Sequence, residues 1–285
     1  MTEKDFNPST IKAITFDLDG TSLRPDKTLS DRTIRALQSC MKKGIKLIIA
    51  TGRALDSGEK YRKQIGMTGP QIYYNGAEVA DTSAGKIIYT QFIDPQPVLF
   101  CARLARQMNL YYQVYFPAGF AGQSGEVLVA ERITTEAEVY KRDTGIEITI
   151  GDLEELLAKA PALIKGMFVT PEENTTKKIR PILQEQFGDS ICIVQSSPVF
   201  LETLAAGVSK GKGLVHALEY LNIKPENTLA FGDEENDLPL FETAGFSAAP
   251  ANAKEAVRNA ATFHIPANTE DGVAAFLEAR FGLDC

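Results

Sequence analysis

The sequence predicts an α/β protein: an open, mostly parallel sheet with helices on its faces, interrupted midway by an inserted α+β module. Three observations predict it. Short apolar runs alternate with helix-patterned segments near the start of the chain (residues 13–16, 45–50 and 71–79) and again near its end (228–232 and 246–249). Strand–helix–strand units of these lengths build parallel sheets, whose strands are buried on both faces and read as unbroken apolar runs. From about Thr82 the texture changes to longer, aromatic-rich, alternating strands, and Asp94-Pro95-Gln96-Pro97 marks a break. Residues 1–90 and 195–285 are therefore expected to form one discontinuous core domain, with residues 91–194 as the insertion.

Taken in order, the run at 13–16 reads as a buried strand ending in two carboxylates one residue apart, Asp17 and Asp19. Side chains alternate along a strand, so both acids leave its tip on one side, with Leu18 on the other. Gly20 lets the backbone turn sharply there. A loop at 22–28 holds Pro25, and Ser30 then caps a helix with Ile34, Leu37 and Met41 on one face, stopped by Gly44. The strand at 45–50 ends in Thr51-Gly52-Arg53; a helix over 55–65 follows, then a strand over 71–79 broken at Asn75-Gly76. Residues 87–92 lead out of the first domain.

The insertion reads as helix 98–108, strand 110–116, a turn-rich hairpin connection at 119–125, and a strand at 127–129. Helix 152–159, strand 162–169, helix 172–187 and strand 191–195 complete it. The α/β rhythm resumes with a strand at 200–204 and a glycine-flanked helix start at Lys210, with Leu214, Leu218 and Leu221 on the apolar face. The strand at 228–232 ends in Asp233-Glu234-Glu235-Asn236-Asp237. A strand at 246–249, a helix from 253, a segment at 262–265 and a helix over 270–281 close the chain.

With 44% hydrophobic and 24% charged residues, the composition is that of a globular protein with a proper core. A net charge of -7 argues against a nucleic-acid surface, so an anionic substrate must be met by a few local cations or a metal. Cys40, Cys101, Cys192 and Cys285 show no C-x-x-C spacing and suit free thiols in a reducing compartment. The charged N-terminus reads as no signal peptide, and no window reaches ~18 apolar residues. A cytoplasmic chain with no membrane partner is expected.

Three apolar strands thus end in chemistry: Asp17 with Asp19, Thr51, and Asp233 with Asn236 and Asp237. Ligands of open α/β sheets sit beyond the carboxyl ends of the strands, near a switch point in strand order. A lone D-x-D fits a helix cap or turn equally well. Side by side, however, these tips supply hard carboxylate oxygens of the kind that bind Mg²⁺ together with a substrate phosphate. Lys210, at a helix N-terminus, adds a cation and free N–H groups for an anion. The spacing places a phosphate between Lys210, Thr51 and the metal.

Asp17-Leu18-Asp19-Gly20-Thr21, Ala50-Thr51-Gly52-Arg53, Ser209-Lys210-Gly211 and Gly232-Asp233-Glu234-Glu235-Asn236-Asp237 resemble, in order, the four motifs of haloacid dehalogenase (HAD) superfamily phosphatases. Tyr74-Asn75-Gly76-Ala77 and Thr269-Glu270-Asp271-Gly272-Val273 resemble the Cof-type subgroup, whose type IIB cap lies between the second and third motifs. The resemblance implies a Rossmann-like core with an α+β cap. It implies Asp17 as the nucleophile forming an aspartyl-phosphate, and Asp19 as the group that protonates the leaving oxygen and then activates water. Mg²⁺ would be held by Asp17, the backbone carbonyl of Asp19 and Asp233, with Asp237 supporting. Thr51, Gly52, Lys210, Asn236 and the Leu18 N–H would hold the phosphoryl oxygens; Asn75 and Arg53 would support. The implied partner is a small phosphate ester. A phosphotransferase or mutase on the same fold, and a non-catalytic phospho-aspartate signalling module, are the alternatives.

Other residues have quieter readings. His216 and His264 read as structural, and Tyr111, Tyr112, Tyr115 and Phe116 as an aromatic strand packing its own sheet rather than lining a pocket. Arg53 either reaches substrate or pairs with a nearby acid. Arg24, Lys27, Glu131-Arg132 and Lys141-Arg142-Asp143 read as solvated charges. Ser22 departs from the apolar residue common in relatives, which puts only local loop packing in question.

Overall fold

The structure, a computed structural model, describes residues 2–118, 120, 127–160 and 162–283. The chain divides into two units, one of Met1–Thr90 with Ser209–Cys285 and one of Gln91–Val208. The first unit opens with β1 (Ala13–Phe16), α1 (Asp31–Lys42), β2 (Lys46–Ile49), α2 (Leu55–Ile65), β3 (Gln71–Tyr73), β4 (Glu78–Asp81) and β5 (Lys86–Thr90). The second unit holds α3 (Pro95–Met108), β6 (Tyr111–Phe116), β7 (Val127–Ala130), α4 (Thr135–Thr144), β8 (Ile148–Ile150), α5 (Leu153–Lys159), β9 (Lys165–Val169), α6 (Glu173–Phe187), β10 (Ile191–Ser197) and β11 (Phe200–Ala205). The chain returns to the first unit with α7 (Lys210–Leu221), β12 (Thr228–Phe231), α8 (Leu238–Thr243), β13 (Phe246–Pro250), α9 (Glu255–Ala260), β14 (Phe263–Ile265) and α10 (Gly272–Phe281).

The main sheet of the first unit has the order β14-β13-β12-β1-β2, all parallel. Alternate residues of each strand enter two cores. Ile14, Phe16, Leu229 and Phe231 pack with Leu37, Phe276 and Leu277 of α1 and α10. Ala13, Ile48 and Ala230 pack with Leu214, Leu218 and Leu240 of α7 and α8. Both faces are covered, which is why these strands read as unbroken apolar runs. From β1 the chain passes to β2 on one side and later to β12 on the other, so the strand order reverses at β1. The register pairs Phe16 with both Phe231 and Ile49, bringing Asp17, Gly232 and Ala50 level at the carboxyl edge.

The expected strand at 71–79 is instead a hairpin. β3 and β4 are antiparallel, β5 adds to them, and the small sheet reaches the main one through a parallel bridge from Ala50 to Ile72. Residues 86–90 thus belong to the first unit rather than leading out of it, and Pro95-Gln96-Pro97 forms the first turn of α3.

The second unit is built on a six-stranded sheet, β10-β11-β9-β6-β7-β8. Here the structure corrects the sequence reading. β11, expected in the core domain, is hydrogen-bonded on both sides, to β10 and β9, and the second unit extends to Val208 rather than residue 194. α4 and β8 had no sequence signal, because α4 buries only Ala137 and Tyr140. Every residue of β6 is buried, with the Tyr112 ring 4.6 Å from that of Phe168, so the aromatic strand packs its own sheet. Lys165 and Glu202, both 1% exposed, form an ion pair at 2.6 Å inside this unit. The connection expected at 119–125 lies, save for Phe120, outside the described residues, as does Cys285.

Candidate active site

Asp17 continues the ladder beyond β1, its N–H donating to Phe231 O at 3.0 Å, and the residue is 5% exposed. The next residues make a tight turn with Gly20 at φ 78°. A Cβ on Gly20 would lie 2.1 Å from Asp233 Oδ2, so only a bare Cα admits the Asp233 carboxylate from the tip of β12. Thr21 Oγ1 donates to Asp233 Oδ1 at 2.5 Å, and Asn252 Nδ2 donates to Gly20 O at 2.8 Å. Turn and carboxylate hold each other.

Asp237 anchors the other side. Its Oδ2 accepts the N–H groups of Asp233 (2.9 Å) and Glu234 (3.1 Å), and its Oδ1 accepts Lys210 Nζ at 2.6 Å. Lys210 begins α7, which is capped by Ser209 Oγ accepting from Lys212 N–H. The same ammonium lies 2.8 Å from Asp17 Oδ1 and is 1% exposed. Carboxylate oxygens of Asp17, Asp233 and Asp237 lie within 4.8 Å of one another. Burial drives Asp17 up to about 7, with the Asp237 and Asp19 charges adding and Lys210 opposing. Burial, then Asp17 and Asp237, drive Asp233 up to about 8. For Lys210 burial works against the charge, but the two aspartates outweigh it and hold the ammonium protonated.

Asp19 is in a different setting. Arg53 grips it with two hydrogen bonds, Nε to Oδ2 at 2.7 Å and Nη2 to Oδ1 at 2.8 Å, and Lys27 Nζ adds a third at 2.8 Å. Burial opposes its charge, yet these cations prevail and bring it down to about 2. Arg53 thus pairs with a nearby acid, as one of its two readings has it, and Lys27 is a partner of Asp19 rather than a solvated charge. Arg24 likewise makes a bidentate pair with Asp271. Thr51 is 1% exposed and its Oγ1 accepts from Arg53 N–H at 3.1 Å, leaving its own proton to donate. Asn236 Nδ2 donates to Asn75 Oδ1 at 2.8 Å, so its amide hydrogens are partly committed to that neighbour.

The profile of the haloacid dehalogenase-like hydrolase family matches residues 14–277. The chain belongs to that family. It is 29% identical over 276 residues to the 5-amino-6-(5-phospho-D-ribitylamino)uracil phosphatase YitU of Bacillus subtilis (strain 168), covering 95% of this chain and 97% of that protein. It is 28% identical over 273 residues to the pyridoxal phosphate phosphatase YbhA of Escherichia coli (strain K12), covering 94% and 98%. A solved structure from Thermotoga maritima matches with a TM-score of 0.79 at 30% identity, over 96% of this chain and 99% of that one. A haloacid dehalogenase-like hydrolase from Bacteroides thetaiotaomicron matches with a TM-score of 0.82 at 26% identity, over 94% and 99%.

In this member of the HAD-like family the donor set fits a hard divalent cation. Every grouped side-chain ligand is a carboxylate oxygen; burial raises Asp17, with Asp237 and Asp19 adding, and burial raises Asp233, with Asp17 and Asp237 adding, so a cation among them would offset a cost that the fold imposes. Of the acids the structure groups, Asp237 is spent on Lys210 and two N–H groups; Asp19, expected to offer the metal its backbone carbonyl, points its carboxylate at Arg53. Two residues escaped the sequence reading. Thr21 lay inside a quoted motif without a role, and Asn252 sits 232 positions from the turn it holds, where no local pattern could mark it. Ser22 is buried, and its Oγ has no hydrogen-bond partner among the described residues.

Proposed function

We propose that this chain is a Mg²⁺-dependent phosphatase that hydrolyses a small phosphorylated metabolite, a sugar phosphate or a similar ester, through an aspartyl-phosphate on Asp17. The observation that carries the reading is the buried cluster at one sheet edge: three carboxylates within 4.8 Å of one another and a shielded ammonium 2.8 Å from Asp17. Phosphoryl transfer is chiefly positioning and charge neutralisation, and this cluster supplies both. Asp17, the Asp19 carbonyl and Asp233 would hold Mg²⁺, which neutralises charge on the phosphoryl oxygens. Support also comes from relatives named as phosphatases of small phosphorylated compounds.

In this reading Asp17 attacks phosphorus as the ester oxygen departs with a proton from Asp19. Water, giving its proton to Asp19, then cleaves the acyl phosphate. Lys210, Thr51, Gly52 and the Leu18 N–H hold the phosphoryl oxygens, with Asn236 beside them. Asp19 is ionised while Arg53 and Lys27 hold it, so its donor role requires it to turn from that pair to the leaving oxygen.

A panel of phosphate esters should decide the matter: hexose phosphates, pyridoxal phosphate and 5-amino-6-(5-phospho-D-ribitylamino)uracil, each with Mg²⁺ and a colour readout of free phosphate. Turnover of at least one, lost on chelation and lowered at least about 1,000-fold by Asp17→Asn, is expected. Full turnover by that variant sinks the proposal. Phosphate passed to an acceptor sugar instead of water would replace it with a phosphotransferase.

A further inference from the structure

Three successive residues in the turn from β3 to β4 have left-handed backbones: Tyr74 (φ 51°), Asn75 (φ 58°) and Gly76 (φ 98°). Asparagine tolerates this region, but a tyrosine there is an outlier that persists only where its surroundings over-determine it. Several contacts do so. Tyr74 N–H donates to Arg53 O at 3.0 Å and Asn75 N–H to Thr51 O at 2.9 Å, tying the turn to the segment after β2. A Cβ on Gly76 would lie 2.0 Å from Ser209 O, so its bare Cα rests on the backbone that leads into Lys210. The Asn75 carboxamide, 1% exposed, faces two more partners. A Cβ on Gly52 would lie 3.1 Å from its Oδ1, and that same oxygen accepts Asn236 Nδ2 at 2.8 Å.

One strained turn therefore touches the loop after β2, the start of α7 and the loop after β12. Those segments carry Thr51 and Gly52, Lys210, and Asn236. Asn236 narrows the argument further. Its Oδ1 is buried without a hydrogen-bond partner among the described residues, so the bond from its Nδ2 to Asn75 fixes which way its amide faces. We propose that Asn75 is a positioning residue: its carboxamide orients Asn236 and packs Gly52 so that both meet a bound phosphoryl group or similar oxyanion. The inference rests on the phosphatase reading only for the identity of that anion. Strain is tolerated here because the left-handed turn is the geometry that lets one side chain reach two loops.

Asn75→Gly separates shape from contact, since glycine adopts the left-handed backbone freely and deletes only the carboxamide. Three readouts are taken with Mg²⁺ present: hydrolysis of p-nitrophenyl phosphate, the melting temperature, and its shift by orthovanadate. Asn75→Gly is expected to stay folded, melting no more than a few degrees below wild type, yet to lose about 10- to 100-fold in kcat/KM. It should also need about tenfold more vanadate for the same shift. Asn236→Ala should lose at least a similar factor, and adding Asn75→Gly to it should cost less than Asn75→Gly costs alone, because part of the Asn75 effect runs through Asn236. If Asn75 is a turn former alone, Asn75→Gly keeps full kcat/KM and vanadate response, and the proposal falls. Should Asn75→Gly fail to fold, Asn236→Ala reads the same contact from its other side, and unchanged vanadate binding there overturns the idea. A wild-type chain that binds vanadate but cleaves no ester sinks the phosphatase reading and leaves the vanadate test standing. A chain that does neither removes both.

Discussion

Glu78 shows how far burial alone can move a single group. It is 6% exposed, its Oε1 has no hydrogen-bond partner among the described residues, and Thr90 Oγ1 approaches Oε2 only at 3.5 Å. Burial pushes it up to about 7. The folded value lies above the unfolded one of about 4.3, so the folded chain binds the proton more tightly. Its contribution is whole below that unfolded value and is lost as pH rises from there through 7, by at most roughly 4 kcal/mol. Glu78→Gln is expected to be more stable than wild type at pH 8 and about equal at pH 5, as read by urea unfolding at both values. An identical difference at the two pH values would show that burial is not the cause. The acidic pattern around 17–19 was legible in the sequence, but the opposite fates of its two carboxyls were not. Asp17 and Asp19 differ by their neighbours, Lys210 with two aspartates for one and Arg53 with Lys27 for the other.

At the scale of elements, the turn after β1 is the sharpest test. Its Gly20 combines a φ of 78° with a 2.1 Å approach of Asp233 Oδ2 to any Cβ. Gly20→Ala is expected to displace the Asp233 carboxylate and break the Thr21 hydrogen bond. Mg²⁺ affinity should fall about 10- to 100-fold, as for other losses of a ligand's support. Titration calorimetry with Mg²⁺ checks it, and unchanged affinity would show that Asp233 is not a ligand. Elements were legible where apolar periodicity was strong: α2 runs over Leu55–Ile65 as its pattern predicts. They were illegible where few apolar residues face inward, as in α4, or where only the partner defines the strand. Phe200–Ala205 has the texture of any buried strand, and its place beside β10 and β9 depends on residues far away.

At the scale of the whole molecule, all three clustered carboxylates and Lys210 belong to the first unit. Mg²⁺ at 100 times its Kd is expected to stabilise that unit by about 2.7 kcal/mol. Leu277→Ala, in the first unit's core, should lower the same melting transition that Mg²⁺ raises, by about 2–5 kcal/mol. Phe168→Ala, in the second unit, should lower a transition that Mg²⁺ does not move. Calorimetry with and without Mg²⁺ separates the cases, and one transition shifted by all three changes would make the two units a single folding unit.

The sequence by itself determined the α/β class, the strand tips that carry carboxylates and Lys210, and the family resemblance. These depend on residue type, spacing and short-range periodicity, which a chain holds before it folds. Tertiary structure alone decided that β11 joins the second sheet, that Arg53 and Lys27 hold Asp19, and that Asn75 and Asn252 brace loops far from them in the chain. Such outcomes follow from register, burial and charge brought together over long separations, which local pattern does not encode.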